Sequence, residues 1–386
     1  MDTNSPVFGG ARGRRSRIVL AWTAAALALI CDAGCGRSGG AVIGEQPVKQ
    51  VISVENDVDA LRAWSAKGAK ASVLIRIDPS DGMTVFPANL MDDMNAAAGY
   101  LRRRNTDVLQ KIAPLIEHGG TVSLGYMAGM YKRVVWVTPS VRSVGETPVE
   151  VLKNFLVTRR GYPAAALADF KVDGKWISGS ITGVPVTITS LADLSLREGE
   201  NAVVDINLSY FTAMKLADPS YRMGTKSLLG FLRELGAKNV RADLVTVNLS
   251  TQDNLVPMDL RYYGAVVRDA LEKPGFLTGA MPAKWRSMIQ ADDSLGAKRY
   301  ESAAAIYRDL TGTVKDDPGL YFSLAIAEGF SNKGAECRAA LLEAYRLDPE
   351  YLKGFFQLAR VLADAGKIDA GLEILDTPDL SKIIAE

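Results

Sequence analysis

From Val51 to Met281, short runs of β-branched and apolar residues alternate with longer stretches in which apolar residues recur at helical spacing. That alternation predicts an α/β domain on a mainly parallel sheet. Residues 71–78, 133–138, 202–208 and 242–249 are almost continuously apolar, which predicts strands buried on both faces. Residues 57–67, 92–117 and 225–235 carry helical periodicity, and Gly119-Gly120 is a natural stop for the second. Residues 169–189 place Gly174, Gly179 and Gly183 among β-branched residues and read as a hairpin excursion of open pairing. Around 282–293 the alternation gives way to uninterrupted helical periodicity, which sets the expected domain boundary.

The helical part repeats itself. Tyr321, Leu324 and Ala325 recur 34 residues later as Phe355, Leu358 and Ala359. Ala344 and Asp348-Pro349 close one unit, and Gly366, Ile368 and Gly371 set the turn and second helix of the next. This pattern resembles the tetratricopeptide repeat, a pair of antiparallel helices with small residues at the crossing points and a closing proline. Residues 300–307 with Asp317-Pro318 resemble the second helix of an earlier unit. The resemblance covers roughly residues 294–378. It implies an all-α array packed through Tyr321, Leu324, Ala325, Ala344, Pro349, Phe355, Leu358 and Ala359, and a protein or peptide partner. An array this short needs a neighbour to bury its faces, so its first helices are expected to dock on the α/β domain.

The N-terminus changes where the chain is expected to work. Arg12, Arg14, Arg15 and Arg17 precede an apolar run from Ile18 to Ile30, too short to span a bilayer comfortably but suited to an export signal. Ala33-Gly34-Cys35-Gly36 resembles the bacterial lipobox, although Asp32 stands where a leucine is usual. Cys35 would then be the lipidated first residue of a protein held at the membrane, on the periplasmic or outer side of the cell envelope. Residues 1–35 are thus read as signal, 36–50 as a flexible tether, 51–285 as the α/β domain and 294–378 as the repeats. Of three cysteines only Cys337 then lies in a folded region, so no intrachain disulfide forms and an inert packing thiol is expected. With 45 basic against 44 acidic residues, the chain lacks the broad positive field that draws proteins to nucleic acid.

Chemistry is constrained by what few residues there are to perform it. His118, the only histidine, sits at a predicted helix end that accounts for it, and no nucleophile elbow, phosphate loop or dinucleotide fingerprint accompanies it. Arg102-Arg103-Arg104 reads as a solvated helix face, and Trp64, Trp136, Trp176 and Trp285 as packing residues. What remains are carboxylates at or near strand ends, where open α/β sheets hold their ligands: Asp78, Asp81 and Asp205. Their surroundings, residues 74–78 and 203–211, with 134–139 and 242–257, resemble an arginase-like family related to the ureohydrolases. Some members hydrolyse peptidyl arginine with a bridging water between two manganese ions. The resemblance implies metal ligands at Asp78, Asp81 and Asp205. Yet Arg76 stands at the family's first histidine, Pro79 or Ser80 at its second, and Asn207 and Ser209 at two later aspartates. The expectation is therefore a catalytically degenerate arginase-like domain without a cofactor, Arg76 neutralising Asp78 or Asp205 as a buried pair. A metal-dependent hydrolase with a reduced site at Asp78, Asp81 and Asp205, taking Mn2+ or another divalent ion, is the alternative. A third reading keeps the cleft as a binder of cationic groups without chemistry.

Overall fold

A computed structural model describes residues 40–84, 86–116, 119–139, 149–217, 221, 223–251 and 255–376. His118, Cys31, Cys35, the apolar N-terminal run and the chain beyond 376 lie outside the described residues. No helix among the described residues is long and apolar enough to cross a membrane.

The apolar runs form strands because nearly every residue in them is buried or half-buried, Asp243 being the exposed exception. Nine strands make one sheet: β1 (Ala41–Val42), β2 (Val51–Val54), β3 (Val73–Ile77), β4 (Arg133–Val137), β5 (Lys171–Asp173), β6 (Trp176–Ile181), β7 (Val184–Thr189), β8 (Ala202–Asn207) and β9 (Arg241–Asn248). The order is β1-β9-β8-β3-β4-β7-β6-β5, with β2 also on the outer edge of β9. From β2 to β7 every pair is parallel; β1 and the β5–β6–β7 meander add antiparallel pairs at the two ends. The excursion over 169–189 is thus three strands, and β7 joins it to the parallel sheet through β4. All positions of β3 and β8 are buried, as a two-sided sheet requires.

Helices α1 (Asp57–Ala66), α2 (Met91–Arg102), α3 (Val108–Ile116) and α4 (Thr121–Met127) cover one face. There Leu61, Trp64, Leu101 and Leu109 pack on Leu74, Val134, Trp136, Val203 and Leu244. The single helix expected over 92–117 is two. Arg104 adopts a left-handed φ of 62°, and the Asn105 side chain accepts the Asp107 N–H at 3.0 Å, so local polar bonding replaces the helical ladder. Nor is Arg102 merely solvated: it donates to the carbonyls of Met127 and Ala128. Helix α5 (Val149–Arg160) leads into the meander.

The opposite face carries α6 (Ser209–Ala217), α7 (Thr225–Gly236) and α8 (Tyr263–Glu272), then the one-turn α9 (Gly275–Thr278). Three helical hairpins follow: α10 (Ala283–Gly296) with α11 (Tyr300–Thr313), α12 (Pro318–Phe330) with α13 (Gly334–Leu347), and α14 (Leu352–Asp364) with α15 (Ile368–Leu375). Corresponding helices of the last two begin 34 residues apart, at 318 and 352 and at 334 and 368. Helix α11, which the sequence likens to the second helix of an earlier unit, pairs with α10. Leu324, Ala325, Ala344, Phe355, Leu358 and Ala359 are buried at the crossings. Tyr321 is only half-buried, and Pro349 is exposed at the first position of a short turn, Pro349–Tyr351.

Two expectations of organisation change. The stretch assigned to a tether is folded from Gly40 onward: β1 pairs with β9, Ile43 and Val48 are buried, and the Val48 N–H bonds Leu271 O at 2.9 Å. The boundary near Pro282 separates no cores. One apolar cluster runs from Ile75, Val204 and Val247 of the sheet through Leu232 and Tyr263 to Trp285, Tyr307, Phe322 and Phe355. Cys337 is buried in it, and burial pushes its thiol up to about 12, so it stays a neutral packing group.

Candidate functional site

Parallel register places Arg76, Asp205 and Thr246 side by side across β3, β8 and β9, on the face covered by α1. A charged residue in such a position demands partners, because leaving a buried charge unpaired costs roughly 3–5 kcal/mol. Arg76 is 1% exposed and finds three carboxylates. Its Nη1 donates to Asp205 Oδ2 at 2.8 Å, and its Nη2 to Asp57 Oδ2 at 2.7 Å. The same Nη2 faces Asp78 Oδ2 at 2.8 Å. Its Nε donates to the Ser80 carbonyl at 3.0 Å. The loop can cross the guanidinium because Gly82 sits at φ +67°; a Cβ there would meet Arg76 Cζ at 3.0 Å and Val122 Cγ2 at 2.7 Å.

The carboxylates are held from behind. Asp205 Oδ1 accepts Thr246 Oγ1 at 2.6 Å, and Trp64 Nε1 donates to that Oγ1 at 3.1 Å. Asp57, in the first turn of α1, accepts Asn248 Nδ2 at 2.8 Å. Asp78 Oδ1 accepts the Ser80 N–H at 2.6 Å, and Trp136 Nε1 donates to the Asp78 carbonyl at 2.7 Å. One cation thus faces three acids. Burial raises Asp78 to about 7 and Asp205 to about 6, against the opposing pull of Arg76 and with the charge of Asp57 adding to the rise. Burial works against the charge of Arg76, but Asp57, Asp78 and Asp205 outweigh it and hold the guanidinium protonated above its ordinary range.

Asp81 does not join this group, which corrects the metal trio expected at Asp78, Asp81 and Asp205. Its carboxylate is fully buried elsewhere. Oδ1 accepts the Met83 N–H at 2.8 Å and Tyr162 Oη at 2.9 Å, and Oδ2 faces Arg160 Nε at 3.2 Å. The reason is the loop: Asp78 and Asp81 each bond a backbone N–H two residues ahead, and those turns point them to different cations. Asn207 likewise serves a turn, accepting the Ser209 N–H at 2.9 Å. Among the described residues, no three Asp, Glu, His or Cys side chains are placed to hold a metal ion. The oxygens of Asp57, Asp78 and Asp205 converge on the guanidinium, so the donor set does not fit a dinuclear metal centre.

Asp57, Thr246, Asn248 and Trp64 were not legible as site residues. Thr246 and Asn248 are polar positions in an apolar strand, the one signal the sequence offers; Asp57 reads only as a helix start. A second polar cluster, equally unforeseen, ties the sheet to the array. Arg261, 8% exposed, donates to Glu55 at 2.6 and 2.9 Å, to Thr251 Oγ1 at 2.7 Å and to Asp348 Oδ2 at 2.8 Å. The Met258 N–H also reaches Gln357 Oε1 at 3.0 Å.

Comparison with known proteins returns no matching family model, no matching curated protein and no matching solved structure.

Proposed function

We propose that this is an exported, lipid-anchored interaction protein in which a catalytically degenerate arginase-like domain supports a tetratricopeptide-type array that holds a protein or peptide partner. The observation that carries it is Arg76. A guanidinium of the chain itself, 2.8 Å from both Asp205 and Asp78, occupies two of the three carboxylates on which a metal-dependent hydrolase would depend. Lipid anchoring rests on the lipobox-like run ending at Cys35. The interaction role is supported by the 34-residue offset of the hairpins and by apolar side chains left exposed on the last one: Val361 at 49%, Ile368 at 58% and Leu372 at 60%. Ile368 and Leu372 stand one turn apart on α15, and exposed apolar patches mark partner surfaces.

The test is metal analysis of the purified full chain, followed by an assay for ornithine release from arginine-containing peptides. A folded, metal-free and inactive protein supports the non-catalytic reading. Stoichiometric manganese that disappears in Asp205→Asn, together with ornithine release, overturns it in favour of the hydrolase.

A further inference from the structure

Between α7, α8 and the first two hairpins lies a cleft of about 1110 Å³, slightly above the roughly 300–1,000 Å³ usual for ligand sites. Its walls carry Tyr221, Tyr262, Tyr263 and Tyr307, and its floor carries Asp292. The Asp292 carboxylate accepts the Thr225 N–H at 2.7 Å, Tyr307 Oη at 2.6 Å and Tyr262 Oη at 3.4 Å. All three donors are neutral. Burial, reinforced by the charge of Asp292, raises Tyr262 and Tyr307 well above the ordinary phenol range, so both remain donors. No lysine, arginine or histidine among the described residues pairs with Asp292 within 4 Å; Lys215 and Lys226 are exposed at the mouth. A second observation points the same way: the Tyr263 hydroxyl, fully buried in the lining of the cleft, has no hydrogen bond of normal geometry among the described residues, with the Gly224 backbone, Tyr221 and Asp292 near it. A partly buried carboxylate with no charged partner among the described residues, in a cleft lined by tyrosines, attracts an organic cation by its charge, and a cation that reaches a ring face gains cation–π attraction as well.

We infer that this cleft binds the ammonium or guanidinium end of a lysine or arginine side chain presented by a peptide, with Asp292 as its counter-ion and the four tyrosines as its walls. The peptide source rests on the interaction reading above; the cation site rests on the cleft alone.

The experiment is calorimetric titration of the full chain with Nα-acetyl-arginine amide, Nα-acetyl-lysine amide, the neutral isostere Nα-acetyl-citrulline amide, and a glycine-flanked arginine hexapeptide. The cationic probes are expected to bind at least tenfold more tightly than citrulline, and the hexapeptide more tightly than the single residue. Asp292→Asn keeps the oxygen that caps α7 but not the charge, and is expected to lose the preference for cations. Tyr221→Ala, which removes a wall but none of these hydrogen bonds, is expected to weaken every cationic probe several-fold and decides the matter if Asp292→Asn does not fold. Equal binding of citrulline and arginine, or no heat with any cation at millimolar concentration, overturns the site. Equal affinity for acetyl-arginine amide and the hexapeptide overturns the peptide source. Bound manganese or ornithine release sinks the non-catalytic reading without touching these titrations, so the two fail separately.

Discussion

Arg76 is tolerated in the core only because the sheet register delivers Asp205 beside it and α1 delivers Asp57 above it. Such clusters contribute little net stability when intact, yet removing one partner is costly. Arg76→Met is therefore expected to destabilise by about 3–5 kcal/mol in urea unfolding, and by more at pH 8 than at pH 5, where the acids can protonate. In the native chain Asp78 and Asp205 titrate at about 7 and about 6, above the roughly 3.9 of an unfolded aspartate. The folded state thus holds more protons between about pH 4 and 7, so these groups make stability fall as pH rises through that window and level off above it. Asp205→Asn should flatten that slope; a slope unchanged from the native protein would show that the buried acids do not cause it.

At the scale of elements, the hairpins repeat because glycine and alanine let helices approach where larger side chains would not. Gly354 of α14 packs against Phe322 of α12, and a Cβ at 354 would lie 2.4 Å from the ring of a residue only 3% exposed. Gly354→Ala is expected to lower stability by about 1–3 kcal/mol, the usual cost of overpacking. Gly312 of α11 is exposed, and a Cβ there would meet nothing within 4 Å. Gly312→Ala is expected to raise stability by about 0.5–1 kcal/mol. Thermal unfolding of the two variants distinguishes a packing requirement from mere helix propensity: shifts of the same sign would contradict it.

On the scale of the whole molecule, the described residues from Gly40 onward are one compact unit whose core passes from sheet to hairpins without a break. The Arg261 cluster closes the polar side of that junction, linking Glu55 before α1 to Asp348 between the second and third hairpins. A chain ending at Pro282 would uncover Met258 and Leu260, buried residues of a turn on which α12 and α14 pack. It is expected to aggregate or bind a hydrophobic dye, whereas a monodisperse, dye-silent fragment would show that the α/β part folds alone. The fold was largely legible: β3, β4, β8 and β9 fall within a residue or two of their apolar runs, since strands buried on both faces are apolar at most positions and a few polar residues do not break the run. The site was not. That Arg76 is charged within an apolar strand could be read; that Asp57, 19 residues earlier, reaches it could not.

Sequence by itself determined the local order of strands and helices, the 34-residue offset of the hairpins and the residue types Arg, Asn and Ser at 76, 207 and 209, because each of these is written in periodicity or in side-chain chemistry. Tertiary structure alone decided that Asp81 turns away from Asp78, that Ala41 and Val42 join the sheet and the chain to residue 50 packs behind them, and that two expected domains share one core. Those outcomes depend on which distant surfaces meet. Contacts made across 191 and 206 residues, Asn248 with Asp57 and Arg261 with Glu55, leave no trace in the spacing of neighbours along the chain.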